Sequence, residues 1–289
     1  MPSRRLSGQQ PTPYDPDFMT QARILIAGAG LTALAAALAL DRCGANVVVL
    51  GAHDRDHAPG DRRPIALSKS SQRVLMALGV WPHLEVGLTP IKNIVVSEAG
   101  RFAKVRLHAT DVGSDAFGYV VDAGAIAVAL RATLTNNNVQ LENIRAVEQV
   151  TTTDDGVTCD VDRGDGTDKF NADLLIAADG GESSLRDLLG IGERVRDYAQ
   201  VALSAIVKAA KPVAMTAFER FTPDGPLALL PMRDDCYGLV WCMAPDQASK
   251  LVGGTSSQIE GALEVRSGAA LGKLELQSPP VCFPLKAIR

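Results

Sequence analysis

The stretch Arg23 to Leu50 constrains this chain more than any other, because its order of residue types admits few folds. Ile24, Leu25, Ile26 and Ala27 form a short apolar run with the character of a buried strand, and Ala33 to Leu40 is an alanine- and leucine-rich helix ending near Cys43-Gly44. Val47-Val48-Val49-Leu50 then gives a second strand. Between the first strand and the helix lies Gly28-Ala29-Gly30-Leu31-Thr32-Ala33, so the unit reads strand, glycine turn, helix, strand, the βαβ unit of a dinucleotide fold. Gly28 permits the tight bend, Gly30 lets a pyrophosphate approach the backbone, and Ala33 is small enough for close packing of helix on strand. The N–H groups of the helix that begins near Leu31 and Thr32 then face the phosphates. The alternative is a glycine turn that only packs a helix on a sheet.

One position departs from the pattern. The end of the second strand, ~20 residues past the glycines, normally carries an acid for the adenosine ribose, and here Leu50 is followed by Gly51. Loss of a charged hydrogen bond of ~1.5–3 kcal/mol weakens the cofactor by roughly tenfold to a hundredfold, unless His53 or Asp54 substitutes.

At 289 residues the chain is long enough for one large or two ordinary domains with a real core, and 46% hydrophobic with 21% charged residues is the balance of a soluble globular protein. A net charge of −4 without a dense basic run argues against nucleic acid, and Leu31 to Leu40 is too short an apolar run to cross a bilayer. The five cysteines are scattered and form no C-x-x-C pair, which points to reduced thiols in a cytosolic setting, and the four histidines give no metal set. Residues 1–20 hold Pro2, Pro11, Pro13 and Pro16 among polar neighbours and read as a disordered leader, with Met19 as the expected natural start.

After the second strand, Gly51 to Arg63 reads as a loop, and a helix is expected over Ser70 to Leu78. Arg62 and Arg63 are either phosphate ligands or a solvated basic pair. Ile91–Ser97 and Phe102–His108 form an expected hairpin, followed by a strand at Phe117–Val121 and a helix at about Ala123–Thr135. Three short strands are expected at 144–151, 157–162 and 167–172, then a fully buried strand at Leu174–Ala178. That strand runs into Ala178-Asp179-Gly180-Gly181-Glu182-Ser183-Ser184-Leu185-Arg186, which is either a ligand-binding strand end or an N-capped turn.

The glycine turn, the segment Arg63-Pro64-Ile65-Ala66-Leu67-Ser68 leading to Leu78-Gly79-Val80-Trp81, and Ala178-Asp179-Gly180 with Ser183 and Arg186 occur in this order in flavin-dependent aromatic hydroxylases. Asp197-Tyr198, Phe218-Glu219-Arg220-Phe221, Gly225 to Pro231 and Leu239-Val240-Trp241 resemble the ubiquinone-biosynthesis hydroxylases that act on polyprenylated phenols. The resemblance runs from about Ala22 to the last residue. It implies an α/β fold: an FAD-binding Rossmann-like (GR2-type) domain at 21–89 and 115–192, and a mostly antiparallel β-sheet substrate domain at 90–114 and 193–289.

In that family NADPH or NADH reduces FAD, the reduced flavin captures O₂, and a flavin hydroperoxide hydroxylates the ring, so no side-chain nucleophile is required. Carried over residue by residue, Gly28, Gly30, Leu31, Thr32 and Ala33 would hold the FAD pyrophosphate, Arg63 would contact FAD, and Asp179 with Gly180 would serve FAD and NADPH. Phe218, Phe221, Pro226, Leu227 and Trp241 would wall the substrate pocket, with Met243 nearby, although any one of them is also an ordinary core residue. The implied partners are a polyprenyl phenol and O₂, with peripheral membrane contact and an oligomer or quinone-biosynthesis complex as further expectations for a cytoplasmic protein. The family continues past the position of Arg289 into a Gly-Asp strand end and a helix at the flavin, so the resemblance implies weak FAD retention and an uncovered apolar patch. The competing readings are a non-catalytic scaffold or lipid-binding subunit of a quinone-pathway complex, and a nicotinamide dehydrogenase, which ranks last because it leaves the Asp179-Gly180 segment and the long substrate-sheet half unexplained and because no Tyr-x-x-x-Lys pair is present.

Overall fold

The computed structural model describes residues 22–52, 61–135 and 137–289. The expected leader, its Met19 start and the substitutes His53 and Asp54 therefore lie outside the described residues. Contacts divide the chain into one unit drawn from Met1–Asp56 with Leu134–Ile191 and another drawn from His57–Thr133 with Gly192–Arg289.

In the first unit, β1 (Arg23–Ala27), helix α1 (Leu31–Arg42) and β2 (Asn46–Gly51) form as the residue pattern requires. β1 and β2 pair in parallel, Ile24 opposite Val47 and Ile26 opposite Val49. The strand Gln140–Asn143 continues the sheet beyond β2, and Leu174–Ala177 flanks β1 on the other side, all in parallel. Burial of Ala33, Leu34, Ala37 and Leu38 on α1 shows why small side chains recur there: they let the helix axis approach the sheet it packs on. On the opposite face Leu25, Ala27, Val48 and Leu50 join Val147, Val157, Cys159 and Val161 of an antiparallel sheet formed by Ala146–Thr153, Gly156–Asp162 and Thr167–Ala172. The parallel sheet is thus covered on both faces, which is why β1 and β2 read as continuous apolar runs.

Leu174–Ala177 is not fully buried: it is the edge of the parallel sheet, and Leu174 is 47% exposed. The apolar run reports strand propensity, whereas its place in the strand order decides burial. The short strand Gln140–Asn143 escaped notice because an edge position tolerates its polar residues.

The second unit is built on an eight-stranded sheet. Along it run Leu274–Leu276, Val195–Ala209, Cys236–Met243, Gly225–Pro231, Thr216–Thr222, Asn93–Glu98 and Lys104–His108, while Val281–Ile288 also pairs with Val195–Ala209. Pairing is antiparallel except between Thr216–Thr222 and Asn93–Glu98. The expected hairpin is present, but its second strand begins at Lys104 and leaves Phe102 outside it, fully exposed.

Helices Pro245–Val252 and Ser256–Ser267, absent from the sequence reading, bury Ala248, Ile259 and Leu263 with Leu203, Leu227, Leu239 and Trp241 of the sheet. A capping box between Thr255 and Gln258 starts the second of them, and Gly268 ends it at φ 70°.

Residues 61–89 and 115–133, placed by sequence with the nucleotide lobe, group by contact with this second unit. Pro64–Ser68, Gly118–Asp122 and Thr89–Ile91 make a sheet of their own, tied to the larger one where Ile91 and Val120 pack with Ala217, Leu230 and Met232. Among the described residues no helix is long and apolar enough to cross a membrane.

Candidate functional site

The turn after β1 is drawn tight by a hydrogen bond from Gly28 N–H to the Leu50 carbonyl, 2.8 Å. Gly28 has φ 118°, and a Cβ there would lie 2.2 Å from the Ala178 carbonyl oxygen, so both conformation and space demand glycine. The same close approach brings the Ala178-Asp179-Gly180 segment alongside the glycine turn, joining two motifs that are far apart in sequence.

Gly30 obeys a different logic. Its backbone is extended at φ −73° and ψ 176°, a conformation open to any residue, and nothing lies within 4 Å of where its Cβ would stand. Neither packing nor strain explains the missing side chain. Open ground at the start of a helix does, if a ligand occupies it. α1 begins without a side-chain cap and without an acid in its first turn. Its first N–H groups, including those of Leu31, Thr32 and Ala33, therefore lack intrahelical partners, and no fixed anion competes for the positive end of the dipole. The Ala33 side chain itself is fully buried.

Beside the turn is a cavity of about 250 Å³ lined by Gly28, Ala29, Leu50, Gly51, Ala52, Arg145 and Asp179, among others. A Cβ on Gly51 would lie 2.8 Å from both N and Cβ of Ala29, so the strand end has no room for the customary acid. Arg145, which sequence reasoning passed over, puts a cation on the wall of this cavity; its guanidinium lies 3.8 Å from Asp162.

The Asp179 carboxylate accepts hydrogen bonds from the Ser183 hydroxyl, 2.6 Å, and from Leu185 N–H, 3.1 Å. Asp179 thus ties down the turn into the short helix Ser184–Leu188, capped in its turn by Ser183. Gly180, at φ 96°, faces open space. The donor set of uncapped amides beside side-chain-free ground fits a dinucleotide pyrophosphate.

In the second unit, the Arg63 guanidinium makes a two-pronged pair with Asp61 and lies over the Phe283 ring at 5.0 Å. The five expected substrate-pocket residues do not converge. Leu227 and Trp241 are neighbours across adjacent strands, buried beneath the two helices. Phe218 packs on that same core with its ring 6.3 Å from that of Tyr237, while Pro226 pairs with Phe221, which is 51% exposed. Alternation along the strands accounts for the split, since successive side chains point to opposite faces.

None of the five lines this unit's larger cavity, about 440 Å³, whose walls include Leu88, Pro90, Val213, Met215, Pro231, Met232, Cys236 and Tyr237. A polar slot of about 90 Å³ shares Thr89, Met232, Arg233, Asp234 and Cys236 with it and adds Arg62 and Asp122. Burial pushes the Asp122 carboxyl above the ordinary range, with Asp61 adding to the shift and Arg62 and Arg233 opposing it. Burial likewise raises the Cys236 thiol.

A parallel βαβ unit with an uncapped helix start has the form of a dinucleotide-binding fold. Residues 21–277 match the family model described as FAD binding domain, and the chain belongs to that family. It is 30% identical over 271 residues to the ubiquinone hydroxylase UbiL of Rhodospirillum rubrum, covering 91% of this chain and 62% of that protein. It is 28% identical to the 3-demethoxyubiquinol 3-hydroxylase of Escherichia coli, covering 86% of this chain and 64% of the relative. The chain thus spans less than two thirds of the length of these curated relatives. Its fold is similar to that of the p-nitrophenol 4-monooxygenase PnpA of Pseudomonas putida, with a TM-score of 0.73 at 16% identity over 93% of this chain and 69% of the other.

Proposed function

We propose that the chain is the FAD- and substrate-binding part of a flavin-dependent aromatic hydroxylase of ubiquinone biosynthesis, using NADPH or NADH and O₂ to hydroxylate a polyprenyl phenol. The observation that carries this reading is Gly30: a helix start left bare where no protein packing asks for it, in a chain whose relatives include a ubiquinone hydroxylase and a 3-demethoxyubiquinol 3-hydroxylase. In this reading the first unit is the nucleotide lobe and the second the substrate lobe.

Bound FAD supplies the redox chemistry, activating O₂ with electrons from the nicotinamide. The chain supplies the mooring. The N–H groups of Leu31, Thr32 and Ala33 would donate to the pyrophosphate beside Gly30, and Gly28 holds that turn against Ala178. Asp179, occupied by Ser183 and Leu185, acts by fixing the turn that presents Gly180 rather than by offering a free carboxylate. Arg63 would serve a phosphate by exchanging its Asp61 partner. With Gly51 sterically closed to an acid, the ribose end of FAD would be held by fewer charged contacts, which supports modest FAD affinity. Transient contact with a membrane surface follows from a lipophilic substrate and is part of the same proposal.

The test is NADPH oxidation by the chain supplied with FAD, with and without a polyprenyl phenol, together with mass analysis of the phenol. Stimulated oxidation with one oxygen atom added to the ring is the expected result; oxidation indifferent to the phenol, with no oxygenated product, refutes the reading.

A further inference from the structure

We propose that the second unit holds a built site for an amphiphile: an apolar chain lies in the larger cavity, and a phenolic hydroxyl enters the adjoining slot, where Asp122 accepts its hydrogen bond. The identity of the head group and chain rests on the hydroxylase reading above.

Size separates the two compartments. About 440 Å³ falls within the ~300–1,000 Å³ range of ligand cavities, whereas the slot, about 90 Å³, admits only a small polar group. Their linings differ in the same sense. Val213, Met215, Pro231 and Met232 give the larger cavity an aliphatic wall with two adaptable thioethers, suited to a flexible chain.

The slot contains Asp122, whose Oδ1 is buried and has no hydrogen-bond partner among the described residues. A buried acceptor without a donor is unfavourable, and a phenol O–H supplies the donor that is missing. Arg62 and Arg233 line the slot with Asp122 and partly oppose the burial that raises its carboxyl. Met232 and Cys236 border both compartments, so a single molecule can span them.

Backbone strain is a separate sign. Five non-glycine residues among those described have positive φ, and three of them, Met215 at 54°, Asp234 at 57° and Asp235 at 60°, line the larger cavity. Asp234 and Asp235 occupy the centre of the hairpin turn between Gly225–Pro231 and Cys236–Met243, where aspartate, like asparagine and glycine, takes a left-handed backbone readily, so Met215 is the unusual one of the three. Met215, a bulky side chain held at positive φ, is the strained position on the cavity wall.

Cys236 makes the site measurable. The probe is 2-farnesylphenol, compared with phenol and farnesol, and the readout is maleimide labelling of Cys236 in the full chain, resolved by peptide mass spectrometry. At least tenfold slower labelling of Cys236 with farnesylphenol is expected, while the exposed Cys43 and Cys282 label as before and phenol at the same concentration has no effect. Ala214→Trp, in the exposed turn at the cavity wall, raises the half-protective concentration of farnesylphenol and farnesol at least tenfold. Asp122→Asn weakens farnesylphenol by a similar factor and leaves farnesol unchanged.

Unchanged Cys236 labelling of the native chain at saturating farnesylphenol overturns the proposal, as does equal protection in Ala214→Trp; an Asp122→Asn chain that binds farnesylphenol like the native one overturns the placing of the hydroxyl. Phenol-stimulated NADPH oxidation without Cys236 protection defeats this site alone. Protection without stimulated oxidation upholds the site and defeats the hydroxylase reading.

Discussion

Replacing each of the two turn glycines by alanine separates folding from binding. At Gly30 the backbone is already extended and the added methyl meets nothing within 4 Å, so stability should move by no more than ~0.5 kcal/mol. The methyl would nevertheless stand where the pyrophosphate must approach the first turn of α1. Losing one charge-assisted hydrogen bond there costs ~1.5–3 kcal/mol, or roughly a tenfold to hundredfold loss of FAD affinity.

At Gly28 the methyl would lie 2.2 Å from the Ala178 oxygen on a residue at φ 118°. Backbone strain of ~1–3 kcal/mol and a similar overpacking cost together give about 2–6 kcal/mol, against a total stability of ~5–15 kcal/mol. Thermal melting and FAD fluorescence titration of the same preparations distinguish the two. Gly30→Ala should melt like the native chain and bind FAD weakly, whereas Gly28→Ala should melt well below it. A Gly30→Ala chain that binds FAD normally, or a Gly28→Ala chain of native stability, would refute the steric reasoning.

Gly51→Asp, which introduces the acid found at this place in related folds, should destabilise by ~1–3 kcal/mol in chemical denaturation, because its Cβ collides with Ala29. Trp241→Ala should cost ~3–5 kcal/mol as a buried aromatic, and Phe221→Ala, half exposed, less than ~1 kcal/mol; equal effects would contradict the division between core and surface. Asp122→Asn should raise the melting temperature at pH 7, with the gain shrinking as the pH falls toward 4. Burial holds the folded pKa of Asp122 above its unfolded value, so its favourable contribution is complete at low pH and lost as the pH rises through the folded pKa, and asparagine escapes that loss. A gain that grows on acidification would reverse the assigned sign.

What could be read in advance follows from how local the cause is. The glycine turn, α1 and the hairpin of Asn93–Glu98 with Lys104–His108 are specified by neighbouring residues, through period, turn chemistry and caps. Burial of Leu174–Ala177 is not local: the same apolar run serves a central or an edge strand, and only the strand order decides. Helix Ser256–Ser267 carried a readable sign, the Thr255 and Gln258 capping box, but not the pronounced apolar stripe that flags most surface helices. Trp241 and Leu227 matched a family motif, yet strand alternation turns them into the core. The cavity at Met215, Met232 and Cys236 gathers residues from three separate segments, none of them distinctive alone.

The central claim is that the bare start of α1 and the Ala178–Gly180 turn beside it form the FAD cradle. Amide hydrogen exchange of the native chain with and without FAD tests it most directly. The account predicts slowed exchange at Leu31, Thr32, Ala33 and Gly180 on adding FAD, with little change at the sheet edge Lys104–His108. Saturating FAD that leaves those four amides unchanged, or protects only residues elsewhere, would contradict it.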